Sequence, residues 1–168
     1  MARVSPSLRQ LSLALTLMAC TAAAGAAGTV EARLLGSERY ADIGWTQADR
    51  IRHLETLLAH LQGLARQLPA GQRLAIDVLE VDLAGEEVPD GGKTVRVLRG
   101  RADWPRMHLR WQLSAPGQAA HAGEEWIADP VYLDRLPPPF VATTPLPYER
   151  RLLEDWFSSR ILREEPGR

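Results

Sequence analysis

The sequence predicts an α+β fold: a mostly antiparallel sheet of about five strands with two amphipathic helices packed on one face. Three observations carry this. Between Gln47 and Leu68 apolar residues recur at three- and four-residue steps; from Met107 to Leu113 they alternate with polar ones; and Leu152, Leu153, Trp156, Phe157 and Ile161 share one side of a helix. The element order is strand, long helix, four strands, helix. Antiparallel hairpins leave one sheet face to water and need helices only on the other, which is what two helices supply.

Thr29 to Leu35 alternates well enough to open the sheet. Thr46 begins TQAD, which resembles a capping box with Asp in place of the usual Glu. Ile51, Leu54, Leu57, Leu58, Leu61, Leu64, Ala65 and Leu68 then form one helical stripe, ended by Pro69 and Gly71. Arg73 to Gly85 is a long strand whose apolar phase shifts, from Leu74, Ile76 and Val78 to Leu79, Val81 and Leu83. A bulge near Val78 and Leu79 reconciles the two phases, as does cover on both faces. EEVPDGGKT is expected to be an exposed turn, with Pro89, Gly91 and Gly92 excluding regular structure, and TVRVLRG a short strand.

Met107, Leu109, Trp111 and Leu113 alternate with Arg106, His108, Arg110 and Gln112, the signature of a half-buried strand. A Pro-Gly turn at Ala115 to Gln118 leads into its partner, Gln118 to Ile127. One register of that hairpin sets Arg110 opposite Glu124. Residues 129–147 hold six of the twelve prolines and read as an irregular connection. Pro147 suits the first position of the last helix, and residues 163–168 read as a frayed tail.

Ahead of this single domain, residues 29–162, the first 27 residues have the layout of a secretory signal. Arg3 and Arg9 precede an apolar run from Leu11 to Ala19 and a string of small residues. Gly25 and Ala27 fit cleavage after Ala27, leaving 141 of the 168 residues. Leu17, Met18, Ala19 and Cys20 also read as a lipobox, which would make 1–19 a lipoprotein signal and Cys20 an acylated first residue. The expected place is the periplasm, free or anchored to the outer membrane through Cys20. No other cysteine exists, so the folded domain has no disulfide, thiol nucleophile or thiolate metal site. Without Arg3 and Arg9, 18 basic residues face 21 acidic ones, a charge of about −3. That sign and the export signal argue against a nucleic-acid partner.

Four segments spread through the chain carry a family resemblance: VDLAGEEVP, VRVLRGRADWPRMHLRW, ADPVYL and YERRLLEDWF. Together they resemble a proteobacterial family of exported proteins, the domain of unknown function 3016, over essentially all of Thr29 to Ile161. The resemblance implies export and the domain limits, and no chemistry. Pro130 and Val131 after Asp129 depart from the family's pattern, which argues against a role for Asp129.

The candidate sites are few. His53 and His60, seven residues apart on the long helix, are separated by about 10.5 Å, too far to share one zinc ion. Glu86 with Glu87, and Glu124 with Glu125, are neighbours whose side chains point to opposite faces of a strand, so neither pair converges on one bond. Ser158 and Ser159 lie within a helix, where no nucleophile elbow forms. Trp126, Trp156 and Phe157 are expected in the core. The basic, aromatic stretch RGRADWPRMHLRW divides at Pro105 into a strand end, a corner and a second strand, leaving Asp103, Trp104 and Arg106 as the ligand-binding candidates. No catalytic set, metal site or cofactor motif is expected. The leading expectation is a non-catalytic exported envelope protein that binds or scaffolds a protein or glycan. The alternative is a periplasmic hydrolase acting on a glycan or cell-wall substrate through Asp82, Asp103 or Asp129.

Overall fold

The computed structural model describes residues 27–135 and 144–163. Residues 1–26 with Cys20, residues 136–143 of the proline-rich connection and residues 164–168 of the tail lie outside the described residues. Six strands and two helices follow in the order β1 (Thr29–Leu34), α1 (Gln47–Gly63), β2 (Arg73–Asp82), β3 (Glu86–Asp90), β4 (Lys93–Val97), β5 (Arg106–Ser114), β6 (His121–Ala128) and α2 (Pro147–Trp156). The main sheet has four strands, ordered β1-β2-β5-β6, and β3 with β4 forms a separate hairpin. The α+β architecture is as expected, with the strands divided between two sheets.

β1 runs parallel to β2, Val30 beside Leu74 and Leu34 beside Val78, while the other pairs are antiparallel. The reason lies in the connection: two strands joined by a long helix can lie side by side in parallel, whereas a short turn forces the antiparallel arrangement. β2 carries the bulge, with Val78 opposite Leu109 and Glu80 opposite His108. Leu79 is the extra residue, and Leu74, Ile76, Val78, Val81 and Leu83 all reach the same core. Met107, Leu109, Trp111 and Leu113 come in from β5.

The helices close this face. Leu57, Leu61, Leu64 and Leu68 pack from the α1 side, and Leu152, Leu153, Trp156, Phe157 and Ile161 from the α2 side. Thr46 caps α1 by accepting from the Asp49 N–H at 3.1 Å. The helix tightens to a 3-10 turn over Leu64–Gln67, ahead of Pro69, so its last turn differs from a continuous α-helix to Leu68. Ile51, expected in the stripe, is 47% exposed.

Two further expectations are corrected. EEVPDGGKT is a β-hairpin: Asp90 pairs with Lys93 around Gly91 and Gly92, whose φ values of 54° and 86° suit a two-residue turn. Pro89 is tolerated because both strands of a two-stranded ribbon are edges. Trp126 is not a core residue. It stands on the outer face of β6, 56% exposed, with its ring stacked on His108 at 4.8 Å.

That outer face carries a row of charge across all four strands. Arg33 donates to Asp77 at 2.8 Å, Asp77 lies beside Arg110, and Arg110 donates to Glu124 at 2.8 Å. Arg110 opposite Glu124 is the register the sequence suggested.

Candidate functional site

Where β1 stops, the chain loops out and rejoins the end of β2 in the same parallel sense. Tyr40 is buried and donates its hydroxyl to the Val78 carbonyl at the bulge, 2.8 Å away. Asp42 then bridges to Asp82 through the main chain, and Gly44 and Trp45 turn the chain into α1. Opposite this loop stand the start of the hairpin and the corner before β5. Between them opens a cleft of about 460 Å³, whose charged lining is Asp42, Arg50, Asp82, Glu86, Glu87, Arg99 and Asp103. Trp45 is on its wall and 67% exposed.

The charges of the cleft are already engaged, Arg50 by the Ser37 carbonyl at 2.8 Å and the others by ion pairs or hydrogen bonds. Arg96, from β4, reaches beneath it and donates to Asp42 at 2.9 Å and to the carbonyls of Ala84 and Gly85 at 3.1 Å, with Glu87 at 3.3 Å. Burial alone would lower its pKa, but the hydrogen bond and charge of Asp42, with Glu87, outweigh that and hold the guanidinium above its ordinary value. Glu87 also accepts from the Trp45 N–H at 2.5 Å, Glu86 from Arg99 at 2.6 Å and Asp82 from Arg106 at 2.8 Å.

Asp103, the first of the sequence-predicted site residues, lines the cleft, but its carboxylate holds the corner together. It accepts from the Arg99 N–H at 2.6 Å and from the Tyr132 hydroxyl at 2.8 Å, while its carbonyl accepts from the Gly85 N–H at 2.9 Å. Burial, then Asp103, pushes the Tyr132 phenol above its usual range. Trp104 is 37% exposed and neither it nor Arg106 contributes to the cleft wall. The three candidates therefore do not converge. Arg106 instead extends along the outer face, clamping Asp82 and standing 5.9 Å from the Trp126 ring.

The three carboxylates of the hydrolase alternative are each held by neighbouring groups. Asp82 is bound to Arg106 and Asp103 to the corner; Asp129 is buried and accepts from the Val131 N–H at 3.1 Å and from Arg135 at 3.2 Å. Among the described residues no group of three or more His, Cys, Asp and Glu side chains is placed to hold a metal ion. His53 and His60 bond separately to the carbonyls of Ile43, at 3.0 Å, and Pro145, at 2.9 Å.

Below the cleft lies a polar contact that the sequence did not expose. Glu149, 1% exposed in the first turn of α2, accepts from the Ala84 N–H at 2.7 Å. Burial raises its pKa, and its backbone donors and Arg96 offset this only in part. Tyr148 beside it meets Tyr132 edge to face at 4.7 Å. The one available signal was position: a Glu two residues after a helix-starting Pro sits where free N–H groups favour a carboxylate. Trp45 likewise had only its placement, a tryptophan in an otherwise polar loop.

These bonds join VDLAGEEVP, the GRAD corner, ADPVYL and the start of YERRLLEDWF at one place. The matching family model, described as a protein of unknown function (DUF3016), spans residues 28–159. The chain belongs to the DUF3016 family. No curated protein matches it. In this DUF3016 protein the segments that carry the resemblance meet at the cleft end of β2, so whatever else they do, they build its floor and walls.

Proposed function

We propose that this DUF3016 protein is a non-catalytic exported envelope protein, a binding or scaffolding module whose ligand enters the cleft beside Trp45. The observation that carries the reading is a large exposed indole on the wall of a cleft whose carboxylates are all engaged by guanidinium, hydroxyl or N–H groups. An acid or base for hydrolysis needs a carboxyl group within reach of a substrate and a perturbed affinity for its proton. Asp82 and Asp103 instead stabilise the fold. An exposed tryptophan beside fixed polar groups is what a recognition site requires.

Export is supported by the start of the domain. The family match begins at Gly28 and β1 at Thr29, so cleavage after Ala27 would leave β1 and the matched segment whole. Acylation at Cys20 would instead leave a short tether. The test has two measurements on cells producing the full chain. Envelope fractionation with mass determination of the mature N-terminus should find the protein outside the cytoplasm, starting at Gly28 or at a lipidated Cys20. A photo-crosslinker at position 45 should capture a saturable envelope component. Cytoplasmic retention, or turnover of a substrate with no captured component, overturns the reading.

A further inference from the structure

We propose that the ligand of this cleft is a neutral glycan, stacked on the indole of Trp45 and held through its hydroxyls by the ion pairs beneath; this rests on the binding-module reading above. The first observation is polarity of the whole fold. β1, β2 and β6 end, β5 begins and both helices start in the same half of the molecule. All nine exposed large apolar residues among the described ones lie in that half, Trp45, Trp104 and Trp126 among them. The other end, around Arg73, Ser114 and His121, has none. A surface this one-sided marks a place of contact, and the cleft is its concave part.

The second observation is the pairing of charge. Asp42 and Glu87 share Arg96, Asp82 has Arg106, and Glu86 has Arg99. Of the charged lining residues only Arg50, held by the Ser37 carbonyl, and Asp103, held by N–H and hydroxyl donors, stand outside these pairs, so a ligand carrying several charges would have to break a pair and leave a charge without its partner. A neutral hydroxyl does neither. It donates to a free carboxylate lone pair or accepts from a free guanidinium N–H, with the planar pair already fixed in direction.

The third is the arrangement of aromatic against charge. A protein partner favours a surface whose centre is depleted of charge and whose rim is polar. Here the indole of Trp45 shares the cleft lining with Asp42, Glu86, Glu87 and Arg99, so charge is not confined to a rim. Rings that are apolar on their faces and hydroxylated at their edges match that order, with the faces against Trp45 and the edges against the ion pairs.

The experiment uses the protein as processed and purified from the envelope, titrated with neutral oligosaccharides of β-1,4-linked glucose and β-1,4-linked N-acetylglucosamine and, in parallel, with anionic polygalacturonate. Binding is followed by calorimetry and tryptophan fluorescence. At least one neutral sugar should bind with an affinity that changes less than about twofold over a tenfold range of salt, because no net charge is screened. Trp45→Ala should weaken that binding about tenfold or more while leaving the unfolding midpoint unchanged, since the side chain is mostly in water. Failure of every neutral sugar to bind, preference for the polyanion, or neutral binding indifferent to Trp45→Ala overturns the glycan assignment. Capture of a protein by the position-45 crosslinker without sugar affinity overturns it too, yet leaves the binding-module reading standing; turnover without capture removes both.

Discussion

The indole of Trp111 lies across its cross-strand partner Gly123 so closely that a Cβ built on the glycine would stand 2.9 Å from ring atoms Cε2, Cζ2 and Nε1. The aromatic ring covers the stretch of backbone that a side chain would otherwise occupy on the inner face of the edge strand. This is how a glycine is tolerated in a strand interior. Gly123→Ala should therefore cost about 1–3 kcal/mol, the usual penalty for overpacking a filled core. Urea denaturation followed by circular dichroism reads it directly. An unchanged midpoint would show that the ring has room to move.

Two residues along β6, Glu125 turns inward and accepts from three elements at once: Trp111 Nε1 at 3.1 Å, Trp156 Nε1 at 3.2 Å and Arg160 Nε at 3.0 Å. The Arg160 hydrogen bond, followed by those of the two indoles, outweighs burial and lowers its pKa. Glu125→Ala leaves the two indole donors without this acceptor and should cost about 2–3 kcal/mol. The sign with pH follows from the lowered pKa. The unfolded chain binds the proton first as pH falls, so this stabilisation is complete above the ordinary carboxylate value and is lost as pH drops through the folded one. The gap between wild type and variant should narrow in acid. A gap independent of pH would count against the charged contact.

Glu149 has the opposite sign. Its raised pKa means that the folded chain holds a proton more tightly than the unfolded one, so stability is full below the ordinary carboxylate value and falls as pH rises through the folded pKa. Glu149→Gln keeps an acceptor for the Ala84 N–H and removes the buried charge. It should match the wild type in acid and become relatively more stable as pH rises, while Glu149→Leu, which leaves that N–H unsatisfied, should lose about 1–3 kcal/mol in acid, a gap that narrows as the wild type loses stability at higher pH. Thermal melts of the three proteins from acid to mildly alkaline pH decide it. A Glu149→Gln difference that stays flat would mean the carboxylate is charged in the fold and satisfied by Arg96.

How much of this was legible differs by element. The α1 stripe, the β2 bulge and the β5 alternation were readable because each is a periodicity within one segment. The β3-β4 hairpin is not legible in the same way, because Pro89 and Gly-Gly signal an interruption locally although two consecutive positive-φ residues are what a tight hairpin turn uses. At the site, Asp103 was legible as a corner residue from the proline two positions on. Glu149 was not, because its partner Ala84 is 65 residues away, and a buried carboxylate bound to a distant main-chain N–H leaves no local pattern. Trp45 was hidden for a related reason: nothing in a loop's composition reveals which side chains a cleft will leave in water.

Trp126 is placed by strand register and not by its hydrophobicity. Once Arg110 faces Glu124, Glu124 and every second residue after it lie on the outer face, so Trp126 had to be outside by register alone. Its hydrophobicity suggested the core, but the side chains that neighbour it there are His108, stacked at 4.8 Å, and Arg106. Trp156, on the inner side of α2, is 5% exposed and belongs to the main core. The two tryptophans should thus respond differently to the same change. Trp156→Ala removes a buried ring and should cost about 3–5 kcal/mol. Trp126→Ala removes a stacking contact at an exposed site and should cost about 1 kcal/mol or less. Chemical denaturation of both variants, with equal slopes, makes the comparison. Equal losses would mean that the outer face is covered in solution, since only burial raises the cost of deleting an indole to the core value.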